Sequence, residues 1–264
     1  MRDDCAVIVA SCDAYGDVLE HFAALKLKFW PDCPFETLLV TETAPAPSPA
    51  FDRVVACGGG TNWAQRLVMA LETVSAPYVL MLCDDYLLEA PVDTPLVLRR
   101  LDKARELDAA NLRLIPNPRR GMPRDDGLME YPKNTAYCIS TLAGIWNREF
   151  LQGLARGAAS IWEFERYGSF AVGGERRALL ATRTREFPFV DAVHKGHWEK
   201  AGVKVCRENG LEVNLAKRGM PPLSVRIVEA FKALVFAVVP NTLIVRVQNA
   251  LGAGARERGA GGRP

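Results

Sequence analysis

The sequence predicts an α/β fold, a mostly parallel sheet flanked by helices. Short apolar runs of five to eight residues, bounded by polar or turn-forming residues, read as strands. Segments with apolar residues at helical spacing alternate with them, which implies βαβ units. Small, polar and acidic residues collect just past the ends of these runs, where open parallel sheets bind their ligands.

The elements follow in order. Residues 5–12 (CAVIVASC) form a buried strand, and 15–30 a helix with Val18, Leu19, Phe22, Leu25 and Phe29 on one face, stopped by Pro31 and Pro34. Strand two is 35–42, a proline-rich loop covers 44–51, and strand three is 53–57. Glycines 58–60 turn the chain, and Thr61 or Asn62 caps a helix over 63–74. Strand four is 78–83 (YVLMLC). A helix over 94–109 follows, with Thr94 as its cap and Pro95 at its first position. Strand five is 111–115, and 116–127 is a loop rich in proline and charge. Residues 137–146 (YCISTLAGIW) read as a strand, leading into a helix capped by Asn147. Ser160 caps a further short helix, with Glu163 at capping-box spacing.

A length of 264 residues suits one large domain with an appendage. The net charge of +2 makes no case for a nucleic-acid partner, but the charge is unevenly spread. Residues 1–216 carry 25 Lys and Arg against 29 Asp and Glu, whereas residues 217–264 carry eight against two. Seven scattered cysteines, with no CxxC pair, read as small buried hydrophobes of a reducing compartment. Arg2, Asp3 and Asp4 lead directly into a strand, so no signal peptide is expected and the expected location is cytoplasmic.

Strand four runs straight into Asp84 and Asp85. Adjacent carboxylates repel unless a cation neutralises them. Hard divalent ions such as Mg²⁺ or Mn²⁺ take oxygen ligands and bridge to substrate phosphates, so the pair suggests a metal–diphosphate site. The plain alternative is a turn begun by two aspartates.

The order of elements and the motif YVLMLCDDYLL resemble the nucleotide-sugar-dependent glycosyltransferases of the GT-A fold, over roughly residues 5–200. In that family a D-x-D or D-D motif on this strand holds a divalent ion on the donor diphosphate. Here the D-x-D spacing is absent, since Cys83, Asp84, Asp85 and Tyr86 follow one another. The resemblance implies metal ligation by Asp85, and a ribose or metal contact by Asp84. It further implies that Ser11, Asp13 and Tyr15 meet the nucleobase and ribose, with Glu42 nearby. Asn62 and Arg66 open the helix facing the pocket, Arg66 within reach of phosphate. Asp13 as a helix cap, Glu42 as a solvated strand end and Trp63 as core are the bland alternatives.

An inverting transferase needs a carboxylate to deprotonate the acceptor hydroxyl. The resemblance places it at the start of a helix after the metal motif, which singles out Glu163 and Glu165. Two apart on a helix, they point to different faces, and Glu163 is preferred as nearest the helix start. Trp162 is a candidate floor for an acceptor sugar. In 187–202, Asp191, His194 and His197 offer a late metal ligand, with His197 the candidate, and Lys195 offers charge to the diphosphate from a mobile loop. Arg119 and Arg120 are candidate contacts to an anionic acceptor, or a solvated cluster.

The expected organisation is a catalytic domain over 1–216, split into a nucleotide-sugar half (1–116) and an acceptor half (117–216). An amphipathic helical extension covers 217–251, and a disordered low-complexity tail covers 252–264. The uncharged stretch 233–245 is too short to span a bilayer. Residues 222–251 combine apolar and basic residues and are expected to contact the inner face of the plasma membrane, or else to pack on the catalytic domain. The expected function is an inverting glycosyl transfer from a nucleotide-diphosphate sugar to a saccharide or lipid-linked acceptor in surface polysaccharide synthesis, assisted by Mn²⁺ or Mg²⁺. The alternatives are a sugar nucleotidyltransferase and a non-catalytic nucleotide-binding protein. The acidic stretch SCDAYGD (11–17) speaks against the first, and the absence of G-x-G-x-x-G speaks against a dinucleotide oxidoreductase.

Overall fold

The computed structural model describes residues 2–222, apart from Arg120, Asp125 and Asn134. The apolar-basic segment from 223 onward, the 252–264 tail and Arg120 therefore lie outside the described residues.

The first half alternates as the hydrophobic pattern dictates. It runs β1 (Arg2–Ala10), α1 (Gly16–Phe29), β2 (Phe35–Thr41), β3 (Arg53–Ala56), α2 (Trp63–Glu72) and β4 (Tyr78–Cys83). The short β5 (Tyr86–Leu88) and α3 (Thr94–Glu106) follow. The second half holds β6 (Asn111–Arg113), β7 (Met122–Pro123), β8 (Leu128–Glu130), β9 (Gly144–Asn147), α4 (Arg148–Arg156), α5 (Ile161–Ala171) and β10 (Leu179–Thr182). Then come β11 (Phe189–Asp191), β12 (Val193–His194), β13 (His197–Trp198) and α6 (Lys200–Glu208).

Nine strands form one sheet in the order β3-β2-β1-β4-β9-β6-β10-β8-β7. The β3-β2-β1-β4 half is parallel, while β9 runs antiparallel to both β4 and β6. Strands β1 and β4 are buried on both faces, which is why they read as unbroken apolar runs. Their side chains alternate between two cores. Val7, Val9, Leu80 and Leu82 face α1, α3 and α6, while Ala6, Ile8, Val79 and Met81 face α2, α4 and α5. Each fully buried Val, Leu or Ile contributes about 1.5–3 kcal/mol, so the centre of the sheet is a rigid base for whatever projects from its end.

Two local expectations change, and one open alternative is resolved. Residues 137–143 are loop, and only Gly144–Asn147 is strand. That apolar run is buried by packing along α5 instead of by a ladder. The cap of α3 is Asp93, whose carboxylate accepts from the Leu96 N–H at 2.8 Å, and Thr94 is the first helical residue. Asn62, not Thr61, caps α2, in a reciprocal capping box with Gln65.

Candidate active site

The parallel register sets the site. Ala10 of β1 lies opposite Cys83 of β4, so the next residues, Ser11 and Asp84, meet just past the strand ends. The Ser11 hydroxyl donates to Asp84 Oδ2 at 2.5 Å, and the Asp84 N–H donates to the Ala10 carbonyl at 3.2 Å. Strand β11 pairs antiparallel with β5, placing Asp191 opposite Tyr86, and the Ala192 N–H donates to the Asp85 carbonyl at 2.8 Å. Three carboxylates thereby converge from two distant stretches of chain. Helix α6 holds this ribbon closely. A Cβ on Gly202 would stand 2.6 Å from the Ala192 Cα, so only glycine fits.

These residues open into a cavity of about 770 Å³, a size suited to a small-molecule ligand. One wall is Ser11, Cys12, Tyr15, Trp63 and Arg66, and the floor is Cys83, Asp84, Asp85 and Tyr86. The opposite wall combines Asn117, Pro118, Tyr137, Ser140, Thr141 and Leu142 with Ile161, Trp162 and Glu165. Asp191, Val193 and the hairpin tip His194, Lys195 and Gly196 complete it.

The hairpin differs from the expected mobile loop. His194 pairs with His197 across a two-residue turn, in which Lys195 and Gly196 have φ of 51° and 80°. Two successive positive φ values mark a primed hairpin turn, which Gly196 makes feasible. Lys195 is thereby fixed at the cavity edge. His197 does not line the cavity. Its Nδ1 is buried and has no hydrogen-bond partner among the described residues. His194 lines the wall where His197 was expected.

Several expected donor-side residues stand one step behind the wall and brace Arg66, which is part of it. Arg66 donates to Glu42 Oε1 and to the Thr61 carbonyl, both at 2.5 Å, and Glu42 Oε2 accepts from the Asp13 N–H at 2.6 Å. Glu42 is thus an anchored strand end, not a solvated one. Asp13 caps no helix. Its carboxylate accepts from the Thr43 N–H and from the hydroxyls of Thr43 and Thr41, and these bonds hold it below the usual carboxylate range. Asp13, Glu42 and Asn62 are absent from the lining, whereas Ser11, Tyr15, Arg66, Asp84 and Lys195 are in it.

The two glutamates of α5 have opposite situations. Glu163 Oε2 accepts from the Ala159 N–H at 2.9 Å while its own N–H bonds the Ser160 hydroxyl, so its side chain closes the helix cap outside the cavity. Glu165 lines the cavity. Its Oε1 accepts from the Ser140 hydroxyl at 3.0 Å and from the Thr141 N–H and hydroxyl, both at 2.7 Å. Gly168, one turn on, lets Ile139 approach α5, and the Ser169 hydroxyl accepts from the Ile139 N–H at 3.1 Å. That close loop–helix contact brings Ser140 and Thr141 onto Glu165. The preference for Glu163 thus has no support in its placement.

Arg113 was not singled out by sequence. It is fully buried on β6 and donates to the carbonyls of Asn117 (2.6 Å), Tyr137 (3.1 Å) and Cys138 (3.0 Å), tying together the two loops of the acceptor-side wall. An isolated arginine in an apolar β6 run carries no sequence signal for such a role.

Burial pushes Asp84 up to about 7, against the Ser11 bond and the charge of Arg218. Burial, then the charges of Asp84 and Asp191, drive Asp85 well above the usual range. Asp191 opens to solvent through the cavity mouth, yet is enclosed enough to rise to about 6. Folded carboxyls that hold protons more tightly than unfolded ones favour folding at low pH and lose that stability as pH rises through the folded values. The metal-free protein is therefore expected to melt at a higher temperature at pH 5.5 than at pH 8, which a calorimetric pH series checks. A flat or opposite trend would contradict this account of the trio.

No protein-family model and no curated protein matches the chain. Among solved structures, S. aureus TarS is 13% identical with a TM-score of 0.46, over 81% of this chain and 41% of that one. A cytidylyltransferase from Leptospira borgpetersenii is 12% identical with a TM-score of 0.41, over 79% of this chain and 96% of that one. A UDP-glucose pyrophosphorylase in complex with UDP-glucose is 13% identical with a TM-score of 0.42, over 72% of this chain and 92% of that one. The chain spans 41% of that TarS structure and 59% of the TarS form limited to residues 1–349.

Proposed function

We propose that this chain is a GT-A-like glycosyltransferase that uses a nucleotide-diphosphate sugar and inverts the anomeric centre. The observation that carries the proposal is the arrangement of one cavity. A carboxylate pair stands on its floor, an aromatic and basic wall on one side, and a separate, anchored carboxylate, Glu165, on the other. Tyr15 offers a stacking face for the base, while Arg66 and Lys195 offer positive charge to the diphosphate. Trp162, 60% exposed at the opposite wall, offers a face for an acceptor sugar.

The donor set fits a hard divalent ion. Asp84 and Asp85 are enclosed, and burial together with the neighbouring carboxylate charge disfavours ionising both of them without a cation. No cluster of three or more His, Cys, Asp or Glu able to hold a metal occurs among the described residues. Mg²⁺ and Mn²⁺ do not need one, because they are held by one or two carboxylates plus substrate phosphates. Asp85 and Asp84 would hold the ion, which would neutralise the charge of the diphosphate leaving group.

The remaining chemistry falls to the chain. Glu165, held in place through Oε1, takes the proton of the acceptor hydroxyl. The freed oxygen forms a bond to the anomeric carbon as the bond to the diphosphate breaks on the opposite face. Arg66 and Lys195 stabilise the departing charge. The acceptor is proposed to be a saccharide or lipid-linked hydroxyl, in surface polysaccharide synthesis at a membrane face. No helix of the described residues is long and apolar enough to cross a membrane.

A thermal-shift screen of nucleoside diphosphates and sugar nucleotides, with and without Mn²⁺, tests the reading. A ligand that binds the folded state alone raises stability logarithmically with its concentration over Kd. At least one sugar nucleotide is expected to raise Tm more with Mn²⁺ than without. No shift with any of them would overturn the proposal. Incubation with a nucleoside triphosphate and a sugar phosphate separates the nucleotidyltransferase alternative, because pyrophosphate release would support that alternative.

A further inference from the structure

We infer that Arg218 is a positioning residue for the nucleotide, and that the strap carrying it, residues 211–219, becomes ordered together with nucleotide binding. This rests on the cavity being a nucleotide-diphosphate site.

The strap lines none of the cavity, yet it grips both sides of the donor half. Arg218 is 9% exposed. Its Nε and Nη2 donate to the two carboxylate oxygens of Asp17 at 2.9 and 3.1 Å, and Nη2 also donates to the Ala14 carbonyl. The guanidinium lies 4.2 Å from the centroid of the Tyr15 ring. Tyr15 is a cavity residue, and the cation packed on its ring fixes the tilt at which the ring meets the cavity. Lys217 adds a second ion pair to Asp17 at 2.9 Å.

One residue further on, the Gly219 carbonyl accepts from the Trp198 N–H at 3.0 Å. Trp198 belongs to β13, paired with β12, and the tip between them carries Lys195 into the cavity. One segment therefore ties the Tyr15 wall to the Lys195 wall. Its position also brings the Arg218 charge to bear on Asp84 and Asp85, against the effect of burial.

The start of the strap is anchored, with Leu211 and Val213 packed on the core and the Glu212 carbonyl 2.8 Å from His21 Nε2. Residues 214–217 are exposed and held by local bonds alone, Leu215 N–H to Val213 O at 3.1 Å, Arg218 N–H to Asn214 O at 3.3 Å, and the Ala216 and Lys217 N–H groups to Asn214 Oδ1 at 3.0 and 3.1 Å, apart from the Lys217 ion pair. Segments with few buried contacts open locally at low free-energy cost. A ligand that binds both walls must then stabilise the segment joining them. By reciprocity, loosening the segment must weaken the ligand. A merely structural ion pair would show neither effect.

The test is hydrogen exchange by mass spectrometry on the full chain, with ADP, CDP, GDP and UDP each added with Mn²⁺. The nucleotide that binds is expected to slow exchange in 211–219 at least fivefold, although these residues do not touch it. Arg218→Met is expected to bind that nucleotide at least tenfold more weakly, and Arg218→Lys to recover part of the loss. Unchanged exchange in 211–219 under a nucleotide that does bind would overturn the inference alone, as would wild-type affinity in Arg218→Met. If Arg218→Met does not fold, exchange in the wild-type chain decides. If none of the four diphosphates binds the wild-type chain, the site reading falls and the inference falls with it.

Discussion

Glu165→Gln is expected to lower turnover by roughly 10²–10⁴-fold, the usual contribution of a general base, while leaving the fold and nucleotide affinity near wild type. The amide oxygen of glutamine can still accept from Ser140 and Thr141, as Oε1 does now. What the variant loses is the ability of the second position to take a proton. Glu163→Gln is the matched control. Its side-chain oxygen can still accept from the Ala159 N–H, so both Tm and turnover are expected to hold. The comparison is decisive because the two residues share one helix turn and one chemistry and differ in where the carboxylate points. Full turnover in Glu165→Gln, measured as release of nucleoside diphosphate, would remove it from the mechanism.

Asp85→Asn is expected to act in two opposite directions. It should abolish the Mn²⁺-dependent part of nucleotide-diphosphate binding, because a neutral amide is a poor ligand for a hard cation. In the metal-free protein it should raise Tm by about 2–8 °C at pH 8, the shift that one or two kcal/mol produces in a chain of this size. The gain comes from removing a carboxylate that is disfavoured first by burial and then by the charges of Asp84 and Asp191. A site that stores unfavourable charge until its ligand arrives trades stability for function. Calorimetry without metal and titration calorimetry with Mn²⁺ measure the two effects separately. A variant that melts lower, or that keeps its Mn²⁺-dependent affinity, would contradict this account of the pair.

Much of the donor half was legible because its signals are local. A strand buried on both faces announces itself by an unbroken apolar run, so β1, β2 and β4 read directly, and their register then delivers Ser11 and Asp84 to one place. The caps at Asn62, Asn147 and Ser160 are local too, since each is settled within four residues. Glu163 shows the same locality. Its spacing from Ser160 pointed to a cap, and the cap is what consumes its carboxylate. The face of α5 shared by Glu165, Gly168 and Ser169, whose small residues admit a neighbouring loop, was the signal that favoured Glu165.

By itself, the sequence determined the alternation of strands and helices, the delivery of Asp84 and Asp85 to the end of β4, and the polar character of the rim. Only the tertiary structure decided what stands opposite that rim. The antiparallel insertion of β9, the arrival of Asp191 through the β5–β11 pair, the anchoring of Glu165 by residues 140–141 and the grip of Arg218 on Tyr15 join residues up to 204 positions apart. Periodicity and capping report on the few residues within one turn or one pleat. Contacts across such distances depend on which surfaces remain to be buried once the local elements have formed, and that is a property of the whole packed chain.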